Sequence, residues 1–403
     1  MSTIKIGLFG FGVVGQGVYE VIRKSRNAHA EIVKICVSNL QKPRQVEVPA
    51  EMLTDQADEI LNNPEINLVV EVINNADDAY RIVKTALEKG IPVVSGSKAM
   101  LAKHLPELIE IQKRNKVALL YDASSCGSIP VIRNLEEYYD NDLLLEVKGI
   151  LNGSSNYILS RVFDHKEPYA DALRQAQELG FAEVDPSFDI EGYDSLFKLV
   201  IITVHALGTY VDPEQIFTYG ISTIHDSDIQ YAREKGVKIK LVAQVVKVSD
   251  EHFTMFVMPE FVSPNKYIYS VDDEYNGVVI RGECYDRQFM FGKGAGSLPT
   301  ASSILSDIMA RQHDYRYEYK KQRFEQKPDY TTDIVLKIYV RYSQTNILHV
   351  LQFERICEQY ISDESNYVIG EIRLSELLKK RDQLHAKDLF IANIPIFFLN
   401  KDN

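Results

Sequence analysis

The apolar residues fall into two rhythms that divide the chain. Over residues 1–130, short uninterrupted apolar runs alternate with stripes at helical spacing. The runs at 4–9, 31–37, 67–73, 91–94 and 117–121 predict strands, and helices are predicted at 77–89 and around 106–114. Strands alternating with helices imply a parallel, doubly wound sheet with ligands at the carboxyl ends of its strands. From Glu146 the rhythm changes. A strand at 147–151 and helices at 157–163 and 169–179 lead to a helix at 196–207 that is apolar almost all round. Strand-like runs then dominate at 238–248, 253–257, 277–280 and 288–291, which reads as an α+β domain over 131–291. Residues 311–330 are charged and tyrosine-rich without an evident buried face, and read as a linker or exposed arm. The remainder, 331–403, predicts a strand at 334–340, a helix at 348–357, a hairpin of 359–363 with 367–372, a helix at 375–383 and a strand at 389–393. The order β-α-β-β-α-β is ferredoxin-like.

The first strand runs into Gly10-Phe11-Gly12-Val13-Val14-Gly15, and Val18, Val21 and Ile22 continue as a helix. This is a G-x-G-x-x-G turn in the strand–turn–helix setting it requires. Gly10 permits the tight turn, Gly12 lets backbone approach a pyrophosphate, and Gly15 lets helix and strand pack closely. The phosphates would meet free N–H groups at the helix N-terminus. An NAD-binding sheet expects an acidic residue at the end of its second strand. Here Ser38 and Asn39 occupy that place, with Lys42 and Arg44 following, which leans towards NADP over NAD. Two further loops lie at strand ends, Ser95-Gly96-Ser97-Lys98 and the stretch from Asp122 to Ser128. A second glycine-rich loop, with Gly294 and Gly296, precedes a helix start, and residues 292–310 are expected to pack back on the nucleotide-binding domain.

Composition narrows the classes. The chain has 403 residues, 45% hydrophobic and 25% charged, which bounds it as a globular protein of two or three domains. A formal net charge of −12 argues against generalised binding to nucleic acid or an anionic membrane. No apolar run reaches the length of about 20 residues that a membrane span needs, and no signal peptide is visible, so a cytoplasmic location is expected. Cys36, Cys126, Cys284 and Cys357 lie far apart, with neither zinc spacing nor a disulfide framework.

The stretch 180–198 concentrates ionisable groups where they are costly. An acidic loop (Glu183, Asp185, Asp189, Glu191) enters the apolar helix, on which Asp194 and Lys198 stand four apart and share a face. His205 falls on the same stripe and reads as a core or helix-end histidine. A surface ion pair at this spacing would be worth a few tenths of a kcal/mol, but a helix apolar all round is buried, and a buried pair of this kind marks a site.

With these residues in view, the chain resembles the homoserine dehydrogenases. The stretch carries that family's long signature: Ala176 and Gly180, Asp185-Pro186, Asp189-Ile190, Gly192, Asp194 and Lys198. The glycine loop at 10–15, the stretch 150–158 (ILNGSSNYI) and 294–301 (GAGSLPTA) are collinear with it, so the likeness covers residues 1 to about 310. The resemblance implies interconversion of L-homoserine and L-aspartate 4-semialdehyde with NADP or NAD, on the route to threonine and methionine. It makes Lys198 the proton donor with Asp194 beside it, Glu183 and Asp189 substrate-binding, and Lys98 a neighbour of nicotinamide and substrate. It adds Gly180, Gly294 and Gly296 to the cofactor-binding glycines, and a homodimer or higher homo-oligomer is expected. It also implies a monovalent cation (Na+ or K+) on Asp122 and the carbonyls of Ser125, Gly127 and Ile129.

The sequence departs from the family pattern in places. The loop usually Thr-Ala-Asn-Lys is Ser95-Gly96-Ser97-Lys98, and Asp122 stands where Glu is usual. No kinase domain precedes the first strand, so a monofunctional enzyme is expected. The C-terminal module resembles the ACT fold that senses threonine in relatives, but a glycine expected after its first strand is missing from Ser343-Gln344-Thr345-Asn346-Ile347. A structural or altered regulatory role is therefore expected for it. Two alternatives remain open: a Cys126-dependent aldehyde dehydrogenase, and a catalytically silent NAD(P)-binding regulator.

Overall fold

The computed structural model describes residues 3–182, 184–343, 347–362, 365–384 and 389–395. The chain forms two compact units, one of residues 1–142, 200–210 and 292–324, the other of residues 143–199, 211–291 and 325–403.

In the first unit, β1 (Ile4–Phe9) ends at Gly10, whose φ of +96° suits glycine, and α1 (Val13–Lys24) follows. A Cβ at Gly15 would strike the Gly10 carbonyl, so helix and turn meet only because both residues are glycine. Then come β2 (Ala30–Cys36), β3 (Leu53–Thr54), α2 (Asp58–Leu61), β4 (Leu68–Glu71), α3 (Ala76–Glu88), β5 (Val93–Ser95), α4 (Lys98–Asn115) and β6 (Leu119–Leu120). The strands are parallel in the order β3-β2-β1-β4-β5-β6, the doubly wound order of dinucleotide-binding sheets. Ile6, Leu8, Val69, Val70, Val93 and Val94 form its fully buried centre. The helix predicted around Pro106 begins eight residues earlier, at Lys98, and carries the proline inside. Proline cannot donate to the carbonyl four residues back; the Tyr210 hydroxyl does so instead, donating to the Ala102 carbonyl at 2.9 Å. The short helices α5 (Ala123–Cys126) and α6 (Val131–Glu137) close this part of the chain.

The second unit opens with β7 (Leu144–Ile150), α7 (Gly153–Asp164), α8 (Tyr169–Glu178) and α9 (Ser187–Ile190). The helix α10 (Tyr193–Leu207) runs from this unit into residues of the first. Next are β8 (Phe217–Thr218), α11 (Asp226–Glu234), β9 (Lys238–Lys247), β10 (His252–Val262), β11 (Tyr275–Gly282) and β12 (Asp286–Lys293). After α12 (Ser297–Arg311), the unit resumes with β13 (Asp329–Tyr330), β14 (Val335–Tyr342), α13 (Ile347–Val350), β15 (Arg355–Tyr360), β16 (Asn366–Arg373), α14 (Leu374–Leu384) and β17 (Leu389–Asn393). The mixed sheet runs β12-β11-β7-β9-β10-β17-β14-β16-β15, with β8 and β13 also pairing with β10. Ile150, Val242, Val262, Ile268, Val271 and Val279 pack one of its cores. The last four strands, in the order β17-β14-β16-β15, have the ferredoxin-like arrangement, and β17 continues the central sheet by pairing with β10 at Glu260 and Asn393. A buried pair, Arg341 with Asp228, fastens β14 to α11 at 2.9 Å.

Two expectations are corrected. The helix predicted at 348–357 is one turn long, because Arg355–Tyr360 instead forms β15, an exposed edge strand held by its ladder to β16. Residues 311–330 are not an exposed arm: Tyr317, Tyr319 and Lys321 are buried within the first unit. The Glu136 carboxylate accepts from the N–H groups of Glu318 and Tyr319, each at 2.6 Å, and the Tyr121 and Tyr319 hydroxyls meet at 3.1 Å.

Candidate active site

In the second unit, α10 follows Gly192, whose positive φ of +87° turns the chain out of the preceding loop. The first turns of the helix bury Asp194 and Lys198, which pair at 2.7 Å. The Lys198 ammonium also donates to the Leu151 carbonyl at 2.6 Å. That carbonyl accepts a second bond, at 2.9 Å, from the buried amide of Asn276. Asn152, next in the chain, caps α7 by accepting from the Ser155 N–H at 2.8 Å. Its amide nitrogen donates in two directions, to Asp189 at 2.7 Å and to Asp194 at 2.9 Å. An ammonium has three N–H bonds. Two of those of Lys198 are committed among the described residues, leaving one for an acceptor that arrives from outside. A buried ammonium and carboxylate with one donor to spare can deliver a proton to an oxygen that becomes anionic.

In the first unit, a cavity of about 680 Å³ opens at the carboxyl ends of the strands. Gly10, Phe11 and Gly12 form one wall, Ser38, Asn39, Lys42 and Arg44 another, and Ile73, Asn74 and Asn75 a third. A Cβ on Gly12 would have nothing within 4 Å, so the turn faces open space where a phosphate approaches. Val13, Val14 and Gly15 form the first turn of α1, whose free N–H groups favour an anion. The loop after β2 is folded by two side chains. Arg44 donates to the carbonyls of Asn39 (2.6 Å), Leu40 (3.2 Å) and Lys42 (2.9 Å). Gln16 accepts from the N–H groups of Gln45 (2.8 Å) and Val46 (2.9 Å).

The other expected residues are placed as follows. Lys98 is the first residue of α4. Gly180, with φ +76°, ends α8, a turn that favours glycine by itself. Glu183 lies outside the described residues. Gly296 takes φ +115° at the start of α12, and Ser297 donates to the Val13 carbonyl at 2.8 Å, joining the second glycine loop to the first turn of α1. A Cβ on Gly127 would press on the Gly294 carbonyl, so the loops at 122–128 and 292–296 are packed backbone to backbone. Asp122 is buried, and its Oδ1 accepts from the N–H groups of Ile132 (2.9 Å) and Arg133 (3.1 Å). Burial, with Asp307 beside it, pushes its carboxyl up to about 7. Ser125 is fully buried, and its Oγ has no hydrogen-bond partner among the described residues. Cys126 is fully buried at the last residue of α5, the wrong end of that helix for a lowered thiol pKa, which counts against thiol catalysis. His205 is a core histidine, bonded to Glu136 and the Tyr121 hydroxyl, each at 2.8 Å.

Asn152 and Asn276 take part in the arrangement around Lys198 and were not among the expected site residues. The turn Asn152-Gly153-Ser154-Ser155-Asn156 is the sequence signal for the first; nothing local marks the second.

The family model described as homoserine dehydrogenase matches residues 130–309, and that for the homoserine dehydrogenase NAD binding domain matches residues 10–122. The homoserine dehydrogenase of Bacillus subtilis is 33% identical over 78% of this chain and 74% of its own length. That of Synechocystis is 34% identical over 76% of this chain and 73% of its own length. Among solved structures, a homoserine dehydrogenase from Thiobacillus denitrificans superposes with a TM-score of 0.82 at 28% identity, covering 98% of this chain and 99% of that one. A hyperthermophilic archaeal homoserine dehydrogenase mutant in complex with NADPH gives 0.66 at 25% identity, covering 78% of this chain and 99% of that one. A nucleotide cavity on a doubly wound sheet and a buried Asp–Lys pair stand beside these likenesses, and the chain belongs to the homoserine dehydrogenase family, nicotinamide-dependent oxidoreductases.

Proposed function

We propose that Lys198 is the proton donor to the substrate oxygen in the interconversion of L-aspartate 4-semialdehyde and L-homoserine, with Asp194 its neighbour in the proton path. The observation that carries this reading is the buried Asp194–Lys198 pair, with Lys198 also on the Leu151 carbonyl. Bound NAD(P)H supplies the hydride to the aldehyde carbon. As the C=O electron pair moves to oxygen, the developing alkoxide takes a proton from the Lys198 ammonium, and the product is the alcohol. A dry, preorganised donor stabilises such charge far better than water does. Asn152 holds Asp194 and Asp189 in place, Glu183 and Asp189 bind substrate, and Lys98 lines the nicotinamide and substrate region. Replacing Lys198 with alanine should remove nearly all homoserine oxidation while cofactor binding persists; retained turnover would sink this role.

NADP is the preferred cofactor in this reading, because Ser38, Asn39, Lys42 and Arg44 line the cavity where an acidic residue would be needed to hold a free ribose 2′-OH. The NADPH-bound archaeal neighbour agrees with it. Steady-state oxidation of homoserine with NADP+ and NAD+, each with and without threonine, tests cofactor choice and feedback together. A large preference for NAD+ would overturn the choice. Insensitivity to threonine is expected, since the C-terminal module is proposed as structural or altered in regulation; its turn at 344–346 lies outside the described residues.

A monovalent cation would be held by Asp122 and the carbonyls of Ser125, Gly127 and Ile129. The orphaned Ser125 hydroxyl and the buried Asp122 carboxyl both gain from a neighbouring cation. A rise in unfolding midpoint in KCl or NaCl over choline chloride is the expected result. A homodimer is supported by an aromatic row at the sheet edge, where exposed Tyr267 stacks on Phe289 and exposed Phe291 on Tyr275. Sedimentation of a Y267K/F291K variant should shift it to monomer. Among the described residues no helix is long and apolar enough to cross a membrane, and a cytoplasmic location is part of the proposal.

A further inference from the structure

Glu71 ends β4 on the fully buried side of the cofactor cavity's rim, and no role has been assigned to it so far. Its Oε1 accepts from the Ile73 N–H at 2.7 Å, and Ile73, Asn74 and Asn75 line the cavity. Its Oε2 accepts from the Ser95 hydroxyl at 2.6 Å. The Ser95 oxygen in turn accepts from the Ser97 N–H at 3.1 Å, and the Glu71 main-chain carbonyl accepts from the Gly96 N–H at 2.9 Å. One residue therefore joins the loop after β4 to the loop after β5, which carries Lys98. No hydrogen bond or ion pair to a cationic side chain is seen for it among the described residues. Burial pushes its carboxyl up to about 7, against the bonds from Ser95 and Ile73 that favour its ionised form. A carboxylate placed so deep without a cation costs folding free energy. A residue kept only for stability would be better as glutamine or a hydrocarbon.

We infer that Glu71 is a positioning residue for the cofactor: its carboxyl clamps the loops after β4 and β5 together so that the cavity wall and the Lys98 loop keep the spacing that the bound dinucleotide needs. The inference rests on the cofactor reading of the cavity. Glutamine at position 71 would keep the acceptor for Ile73 but point an N–H at the Ser95 oxygen, which already accepts from Ser97. The Ser95 hydroxyl would then lose its own acceptor, and the loop carrying Lys98 would loosen.

The test pairs Glu71→Gln with Ser95→Ala, which leaves the carboxyl in place and removes the clasp together with the acceptor of the Ser97 N–H. NADPH dissociation constants by fluorescence titration, KM and kcat for homoserine oxidation, and urea unfolding midpoints at pH 8 are measured for both. The expected result is NADPH binding weakened about three- to tenfold in each, the loss of about one hydrogen bond, with the unfolding midpoint of Glu71→Gln no lower than that of the wild type. Function and stability should thus move in opposite directions, which a merely structural residue would not show. Unchanged NADPH affinity in both variants, or a lowered midpoint in Glu71→Gln with unchanged affinity, would overturn the inference. Failure of the wild type to bind either dinucleotide would instead overturn the cofactor reading, and this inference with it.

Discussion

The side-chain amide of Asn152 donates to the carboxylate of Asp194 at 2.9 Å, and its second N–H reaches Asp189 at 2.7 Å. One amide thus separates two carboxylates that would otherwise repel each other beside Lys198. Asn152→Asp keeps the cap acceptor of α7 but replaces the donor with a third negative charge. Turnover should fall at least about tenfold, the effect of misplacing a proton-transfer group. Asn152→Ala should in addition lose about 1 kcal/mol of stability with the cap. Kinetics and urea melts on the two variants separate the roles, and equal turnover in Asn152→Asp and wild type would show that the bridge has no catalytic bearing.

Breaking the buried pair on one side should cost more than removing both charges. Asp194→Leu leaves Lys198 buried without its counter-ion, and Lys198→Met leaves Asp194 likewise; each is expected to lose about 3–5 kcal/mol. The double variant should recover much of that loss and remain inactive. A double-mutant cycle on unfolding free energies measures the coupling, and additive losses would contradict it.

Acidic pH should favour the folded state through its buried carboxyls. Burial raises Glu71 from 4.5 to about 7, and raises Asp122 and Asp307 from 3.8 to about 7 and about 6. Between those limits the folded protein holds protons that the unfolded chain has released, so stability from these groups is complete below about pH 4 and lost as pH rises through 6 to 7. For Glu71 the change is on the order of 3 kcal/mol. Glu71→Gln should therefore gain relative to wild type between pH 5 and pH 8, and parallel stability curves over that range would refute the assignment.

Glycines 12 and 15 should fail in different ways. A methyl at Gly12 meets open space and leaves folding unchanged, but occupies the place where phosphate approaches. A methyl at Gly15 collides with the Gly10 carbonyl and must displace the helix. Circular dichroism melts with NADPH titration should find Gly12→Ala stable and weak in binding, and Gly15→Ala impaired in both.

Tyr210→Phe should destabilise the first unit by about 1–2 kcal/mol, because Pro106 cannot take over as donor to the Ala102 carbonyl. The same change in a Pro106→Ala background should cost less, since the alanine N–H restores the helical bond.

Local sequence was sufficient wherever one element's chemistry is self-contained. The Gly10–Gly15 turn, the apolar strands of the parallel sheet and the Asp194–Lys198 spacing follow from periods of two and 3.6 and from what glycine alone permits. The same local reading went wrong at residues 355–360, where an exposed, mixed stretch becomes β15 only because β16 offers it a ladder. It missed the burial of Tyr317 and Tyr319, whose partners Tyr121 and Glu136 lie almost two hundred positions away in the chain. Asn152 reaches Asp194 across 42 positions and Glu71 reaches Ser95 across 24. A polar residue carries no mark of its partner when that partner is distant, because the bond exists only after the elements have packed. The sequence alone determined which chemistry the chain could perform, since that depends on residue types at fixed local spacings. Tertiary structure decided which amide, carbonyl and carboxyl hold those groups in place, since desolvation and hydrogen-bond geometry are properties of the packed interior.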